Sequence, residues 1–145
     1  MPSLGWLTVI GVVAAVALVF LFLKMRQRDQ IAAMIEKRKA SSELVTRAQF
    51  VEAVGTVPVA LALSGQTLYY ENHDVQADFD LSHIDEVEYD NELATGRSVA
   101  TGCNVLRLRS HGATFEFILE PGDCEKWKSA LKTRHLDDVP SAQAV

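Results

Sequence analysis

Residues 106–119 read Leu-Arg-Leu-Arg-Ser-His-Gly-Ala-Thr-Phe-Glu-Phe-Ile-Leu, and this stretch decides the fold class of the C-terminal part of the chain. Apolar and charged side chains alternate on both sides of His111-Gly112, which is typical of a β-hairpin. With His111-Gly112 as a two-residue turn, Leu108 faces Phe115, and an arginine faces a glutamate on the other side of the strands. Apolar pairs then share one face and opposite charges share the other. We predict an antiparallel hairpin with one buried face.

The same alternation occurs earlier in the chain. Residues 77–81 and 86–90 each alternate apolar with acidic or polar side chains, as in antiparallel strands with one solvated face. Between two apolar runs, Ser64-Gly65 is expected to form a two-residue turn that places Leu61 opposite Leu68. The region is therefore mainly β.

One amphipathic helix is expected to follow the strands. Asp123 comes directly after Pro121-Gly122 and is a candidate N-cap. Trp127 and Leu131 are expected to form the structural core of this closing helix. Its apolar stripe comprises Cys124, Trp127, Ala130 and Leu131. Residues 137–145 are predicted to be a disordered tail.

Roughly six or seven short strands followed by one helix, with Trp127 on its core face, resemble the pleckstrin-homology superfold and its GRAM-like bacterial relatives. The likeness covers roughly residues 50–136. It rests on the hairpin above and on Leu68-Tyr69-Tyr70, Asp80-Leu81-Ser82-His83-Ile84 and Glu125-Lys126-Trp127. The resemblance implies an antiparallel β-barrel or sandwich closed by a C-terminal α-helix. It also implies a binding module for lipid headgroups or peptides.

The N-terminal stretch from residue 4 to 23 carries no charge and is predicted to be a transmembrane anchor occupying residues 1–23. As a helix it would be about 30 Å long, the thickness of a bilayer's hydrocarbon core. Trp6 suits the membrane interface. A cleaved signal peptide is the alternative, but no basic residue precedes the run and the run is longer than a typical signal core.

Basic residues follow the apolar run directly and none precedes it. Lys24, Arg26 and Arg28 therefore predict an N-terminus outside and a C-terminal domain in the cytoplasm of a single-pass inner or plasma membrane protein. The same three side chains are candidate contacts to the membrane interface. Gly11 and Ala15 stand four residues apart and would allow close packing of two spans in a homodimer, but this spacing is common in apolar runs rich in alanine and glycine, and an ordinary lipid-facing helix is favoured.

Residues 24–49 are predicted to form a helical juxtamembrane linker. Helix-favouring residues dominate it, and a second short helix is expected to include Leu44, Val45 and Ala48. The alternatives are a dimerising stalk, a helix on the membrane surface, and a spacer or helix that packs on the following domain. The spacer or packed helix is favoured, because a coiled-coil stalk needs several heptads and fewer than two are present.

Charge separates the two parts of the chain. Up to residue 48, seven basic and three acidic residues give a balance of +4, and the rest of the chain carries −9. The predicted first hairpin, residues 57–70, contains no lysine or arginine. Lipid-binding pleckstrin-homology domains hold phosphates with such residues, so this sequence departs from that form. The acidic domain disfavours phosphoinositides and nucleic acid as ligands.

No catalytic constellation is recognisable. His73, His83, His111 and His135 lack residues spaced to complete a metal site or a nucleophile–base pair, and no Cys-x-x-Cys pair is present. We therefore predict a non-enzymatic protein without a cofactor.

The remaining prediction is an adaptor or scaffold that presents an acidic protein-binding module at the membrane, with Arg97 as a candidate partner contact. The alternatives are an accessory subunit of a larger membrane complex and a sensor of lipids or small ligands.

Overall fold

The computed structural model describes residues 4–135 and contains two helices and seven strands. The chain forms two compact units, one up to Gln30 and one from Ile31. A short 3₁₀ turn, Leu81–His83, separates β4 from β5. The elements are α1 (Leu4–Lys39), β1 (Leu44–Glu52), β2 (Gly55–Ser64), β3 (Thr67–Glu71), β4 (Gln76–Asp80), β5 (Glu86–Asp90), β6 (Asn104–Ser110), β7 (Ala113–Leu119) and α2 (Cys124–Ala130).

The first unit consists of the N-terminal part of α1. This helix is long and apolar enough to cross a membrane, and none of its most apolar window is buried within the protein. Trp6 is 64% exposed, and Lys24, Arg26 and Arg28 are exposed as well. By length and composition, a membrane anchor and a signal sequence both fit this helix.

The seven strands form one antiparallel sheet in the order β4-β3-β2-β1-β7-β6-β5. The first and last strands along the chain, β1 and β7, pair with each other in the middle of the sheet. This pairing joins two sequential sets of strands, β1 to β4 and β5 to β7. As a result, the two edges of the sheet are β4 and β5.

The hairpin predicted from residues 106–119 is confirmed, because Leu108 pairs with Phe115 across the His111-Gly112 turn. The β2–β3 hairpin differs from the expectation. Its turn is Gly65-Gln66, and Leu61 pairs with Tyr70 rather than Leu68. The predicted turn was one residue too early, so the register moved by two positions. Side chains alternate with a period of two, so the predicted inward face stayed inward.

Aromatic contacts show that the sheet curls strongly. The rings of Phe79 on β4 and Phe115 on β7 have centroids 4.8 Å apart. These two strands are separated by three others in the sheet, so about 19 Å would lie between them if the sheet were flat. Among the described residues, β4 and β5 are not hydrogen-bonded to each other. The structure is therefore a curled seven-stranded sheet with a short C-terminal helix.

Helix α2 covers the concave face of this sheet. Trp127 and Phe117 are fully buried, and Leu131, the residue that follows the end of α2, is 5% exposed and belongs to the same hydrophobic core. Asp123 occupies the predicted N-cap position of α2, but its side chain makes no capping hydrogen bond and contacts Lys126 Nζ at 3.3 Å instead. The end of the helix differs from the predicted apolar stripe. Ala130 is exposed, because the helix ends there and the chain turns away.

The prediction of a second helix over Leu44, Val45 and Ala48 is wrong, because these residues belong to strand β1. Every residue of β1 pairs with β2 across a two-residue turn. Ala48 belongs to the hydrophobic core, and this long-range packing outweighs the local helix propensity. The sheet consequently begins at Leu44 and not at residue 50. The tail predicted over residues 137–145 lies outside the described residues.

The last turns of α1 pack on the outer face of the sheet. Ile31 is 3% exposed, and Ala60 and Ala62, which lie on the outer face of β2, are each 1% exposed. The Arg38 guanidinium lies 4.3 Å from the centre of the Tyr69 ring, and its Nε bonds Glu71 Oε1 at 2.9 Å. The expectation of a helix that packs on the following domain is met over residues 31–39.

Candidate functional site

Arg97, the predicted partner contact, lies in the long connection from β5 to β6. Its side chain is exposed, and its carbonyl accepts a hydrogen bond from the N–H of Leu93 at 2.9 Å. A bridge between Glu92 and Ser98 makes this part of the connection a small hairpin-like loop. We refer to residues 91–103 as the β5–β6 loop. Arg97 therefore stands on an ordered surface loop.

A partly buried ionic cluster fixes the β5–β6 loop on the outer face of the sheet. Arg107 Nη2 donates to the carbonyl of Glu92 at 2.9 Å, and Glu116 Oε2 accepts from the N–H of Ala94 at 3.0 Å. The Arg107 and Glu116 side chains are 13% and 10% exposed. The same guanidinium contacts the carboxylates of Glu88 and Asp90 at 3.0 and 3.3 Å.

The charges in this cluster compensate one another. Burial opposes the charge of Arg107, but its hydrogen bonds to Glu88 and Asp90 outweigh this effect and raise the pKa of the guanidinium. The N–H of Asn91, together with Arg107, lowers the pKa of Asp90. The cluster is thus a structural network in which Arg107 and Glu116 are mostly buried and satisfied by internal partners.

The two edge strands of the sheet, β5 and β4, differ in whether their outer backbone groups are paired. At the β5 edge, the chain that follows α2 pairs with the strand: the N–H of Val87 donates to the Arg134 carbonyl at 2.8 Å, and the N–H of Arg134 donates back at 2.9 Å. The Arg134 side chain also donates to the carbonyls of Leu81 and Ile84 at 3.3 and 3.0 Å. The β5 edge is therefore paired at its Val87 position, and the adjoining corner is held by the Arg134 side chain.

The β4 edge is open. In the part of the chain that the structure describes, β4 pairs only with β3. Three of its five residues, Gln76, Asp78 and Asp80, are exposed, and they share the outer face, whereas Ala77 and Phe79 are half-buried against the core. This combination leaves a row of backbone N–H and C=O groups accessible beside a narrow apolar strip. We call Gln76–Asp80 the open edge.

The two carboxylates on the open edge are in different situations. The side chain and backbone N–H of Ser82 donate to Asp80 at 2.7 and 2.9 Å and lower the pKa of its carboxyl. Within residues 4–135, no hydrogen bond or ion pair reaches the Asp78 carboxylate. Asp78 therefore offers an exposed negative charge.

A second concave surface lies between the end of α1, β1 and the start of α2. This groove has a volume of about 450 Å³ and is open to solvent. Its charges are mixed, and two of its cations lie close to acidic neighbours: Lys39 Nζ is 2.6 Å from Glu36 and Lys126 Nζ is 3.3 Å from Asp123. The groove is lined by Ala32, Ile35, Glu36, Lys39, Val45, Thr46, Arg47, Glu120, Asp123 and Lys126.

Residues with reactive or metal-binding side chains do not converge in the described region. No group of three His, Cys, Asp or Glu residues there has metal-site geometry. The rings of His83 and His111 have centroids 5.6 Å apart, with no third ligand beside them in the described residues. Burial raises the pKa of the Cys124 thiol, which disfavours the reactive thiolate.

The sequence did not single out the open edge or the groove. The alternation over residues 77–81 identified β4 as a strand, but strand order is needed to place it at an edge. The groove is formed by α1, β1 and α2 together. Because residues 44–48 were predicted to be helical, β1, which forms one wall of the groove, was not expected from the sequence. No protein-family model matches the chain, and neither the curated proteins nor the solved structures contain a significant match.

Proposed function

We propose that this protein is a membrane-tethered, non-enzymatic adaptor that presents an acidic, pleckstrin-like protein-binding module at the cytoplasmic face. The observation that carries the proposal is the contrast between the two units. The apolar part of α1 is entirely exposed, whereas the interior of the second unit is filled by its own side chains, with Trp127 and Phe117 at 0% exposure. A filled core leaves recognition to the surface, and an unburied apolar helix suits a bilayer.

The pleckstrin-like assignment is supported by the order of the elements. Seven antiparallel strands precede one amphipathic helix, and Trp127 of that helix lies in the core. The strong curl of the sheet fits a barrel or sandwich. A curled sheet buries its inner face only if another element covers its open end, and α2 does this here. We propose the family relationship from this shared architecture.

The orientation is supported by charge. Lys24, Arg26 and Arg28 follow the apolar segment and are exposed. Basic residues next to a span are retained on the cytoplasmic side, and they also attract anionic headgroups. This arrangement favours an anchor with the second unit in the cytoplasm.

Capture from native membranes tests the proposal. The full chain, carrying a photo-crosslinking residue at an exposed position such as Arg97, is expected to yield a specific protein partner after irradiation. A variant without residues 1–23 is expected to lose most of this crosslinking, because tethering raises the local concentration of the module. Crosslinks to lipid alone, or the same protein background for the chain and for an unrelated anchored domain, would contradict the adaptor function.

The accessory-subunit alternative gives a different result in the same assay. Bulky substitutions at Gly11 and Ala15 would abolish assembly, because close helix packing needs small residues, while substitutions on the folded unit would leave assembly unchanged. The adaptor proposal requires the reverse pattern.

A further inference from the structure

The open edge has backbone groups that the rest of the fold leaves available. Both edges of an open sheet can pair with another strand, and proteins usually cover or disrupt them. Here the main chain at Arg134 pairs with Val87 on the β5 edge, whereas β4 pairs only with β3 among the described residues. β4 is five residues long and includes no proline. Its geometry is therefore suited to accept one further short strand.

The side chains of the open edge determine which strand would fit. On the outer face, an added strand would place alternate residues beside Gln76, Asp78 and Asp80. The intervening residues would lie beside Ala77 and Phe79, which are half-buried against the core. The complementary strand therefore alternates basic side chains with apolar ones. Asp78 in particular has no internal partner in the described residues, so its charge is available to a basic ligand.

A second copy of this chain is a poor occupant. If two β4 strands paired with each other, the Asp78 and Asp80 carboxylates of both copies would be brought together, and like charges across strands are destabilising. Acidic ligands are opposed by the same charges. The acidic residues thus block self-association but leave pairing with a basic strand favourable.

We propose that the open edge, Gln76–Asp80, binds an extended basic segment of a partner protein by strand addition, with lysine or arginine at every second position. This inference rests on the proposed adaptor function and names the surface and the partner chemistry. Backbone hydrogen bonds supply the affinity, and the alternating side chains supply the selectivity.

The test uses the full chain in nanodiscs of neutral phosphatidylcholine, so that a cationic peptide is not drawn to the lipid. The probe is a fluorescently labelled peptide, Lys-Val-Lys-Val-Lys, flanked by glycines and measured by fluorescence anisotropy. Binding is expected together with slower hydrogen exchange at residues 76–80. The Glu-Val-Glu-Val-Glu peptide and empty nanodiscs are the controls, and neither is expected to bind.

Two changes separate strand addition from general attraction to an acidic domain. Asp78→Lys is expected to weaken binding about tenfold, while Glu125→Lys, an equal charge change on an exposed residue of α2, is expected to weaken it less than about twofold. Two further peptides are N-methylated, each at one of the two alternating sets of backbone amides. In an added strand only one set of amides faces β4, so one of the two peptides is expected to bind at least about fivefold more weakly than the other, because it loses hydrogen bonds to β4.

Equal effects of Asp78→Lys and Glu125→Lys, or equal binding of both N-methylated peptides, would overturn the inference. The same conclusion follows if the probe binds without slowing exchange at residues 76–80, or if it does not bind at all; the acids would then serve only to prevent aggregation. If membrane capture still yields a protein partner in that case, the adaptor function stands and the open-edge inference alone fails. If the probe binds as expected but capture yields no protein, the adaptor function fails on its own.

Discussion

The indole Nε1 of Trp127 donates a hydrogen bond to Thr46 Oγ1 at 2.8 Å, and both side chains are buried. This bond connects α2 to β1 over a sequence separation of 81 residues. It orients the largest side chain of the core and satisfies the only polar atom of that side chain. The bond also explains why a threonine occupies an inward position of β1, beside the apolar side chains of the core.

Replacing Thr46 by valine keeps the shape of the side chain but leaves the indole N–H without a partner. We expect Thr46→Val to lower the free energy of unfolding by about 1–3 kcal/mol. Denaturant titration of the full chain in detergent, followed by Trp127 fluorescence in a Trp6→Phe background, measures this. Thr114→Val, an exposed threonine on β7, is the matched control and should change stability by less than about 0.5 kcal/mol. Equal effects at the two positions would contradict the role of the bond.

The cluster around Arg107 should be important for stability. Arg107→Met leaves the Glu116 carboxylate, 10% exposed, without its cation, and we expect a loss of about 2–4 kcal/mol. The β5–β6 loop should also become sensitive to trypsin at Arg97, because Arg107 no longer holds the Glu92 carbonyl. Arg109→Met is the control, since Arg109 pairs with Glu86 on the surface, at 49% exposure, and should cost at most about 1 kcal/mol. Similar losses and similar cleavage rates in both variants would refute this assignment.

The β6–β7 turn offers a stabilising substitution. His111 has a φ of +50° and is followed by Gly112 at +78°, the backbone of a turn that prefers Asn-Gly. We expect His111→Asn to raise the free energy of unfolding by about 0.3–1 kcal/mol, since asparagine adopts this conformation more readily. His111→Val should instead lower it by about 1–2 kcal/mol. The prediction fails if the valine variant is as stable as the asparagine variant.

The corner after β4 should weaken in acid. Hydrogen bonds from Ser82 lower the pKa of Asp80 in the folded state, so its contribution to stability is complete above the ordinary carboxyl pKa of the unfolded chain and is lost as the pH falls through the lower folded value. Asp80→Asn should therefore narrow the difference between stability at neutral pH and stability in acid. The test is to measure the denaturant midpoints of unfolding for the original chain and for Asp80→Asn at a series of pH values from neutral to acidic. An unchanged pH dependence in Asp80→Asn would show that other carboxylates account for it.

The sequence predicted the elements whose evidence is local. The β6–β7 register was predictable because Leu108 and Arg107 each have a matched partner, and a shift by one residue would break both pairs. The β2–β3 turn was placed one residue too early. A turn at Ser64-Gly65 and a turn at Gly65-Gln66 bury the same side chains, so the alternation of apolar and polar residues does not distinguish them. β1 was missed because helix-favouring residues precede it and its strand character depends on β2 and β7, its partners at long range. The open edge follows from strand order, which no local pattern encodes.

The contact between Arg38 and the sheet gives the last prediction. Arg38 bonds Glu71 through Nε and Nη2 at 2.9 and 3.2 Å and stacks on Tyr69, and the hydrogen bond to Glu71 raises the pKa of the guanidinium. We expect Arg38→Gln to weaken the packing of residues 31–39 on β2 and β3, because both a bidentate ion pair and a cation–π contact are lost. Hydrogen exchange in that segment of the full chain should accelerate about fivefold to thirtyfold, corresponding to about 1–2 kcal/mol.

Lys39→Gln is the control for this change, since the Lys39–Glu36 pair lies within the helix and its lysine is 57% exposed. That variant should leave exchange within about twofold of the original chain, because exposed helix pairs contribute only a few tenths of a kcal/mol. Exposure of Ala60 and Ala62 provides an independent readout: a cysteine at either position should react with a thiol reagent faster in the Arg38→Gln background. If both variants behave alike, burial of Ile31 is sufficient to hold the helix end on the sheet and the Arg38 contacts are dispensable.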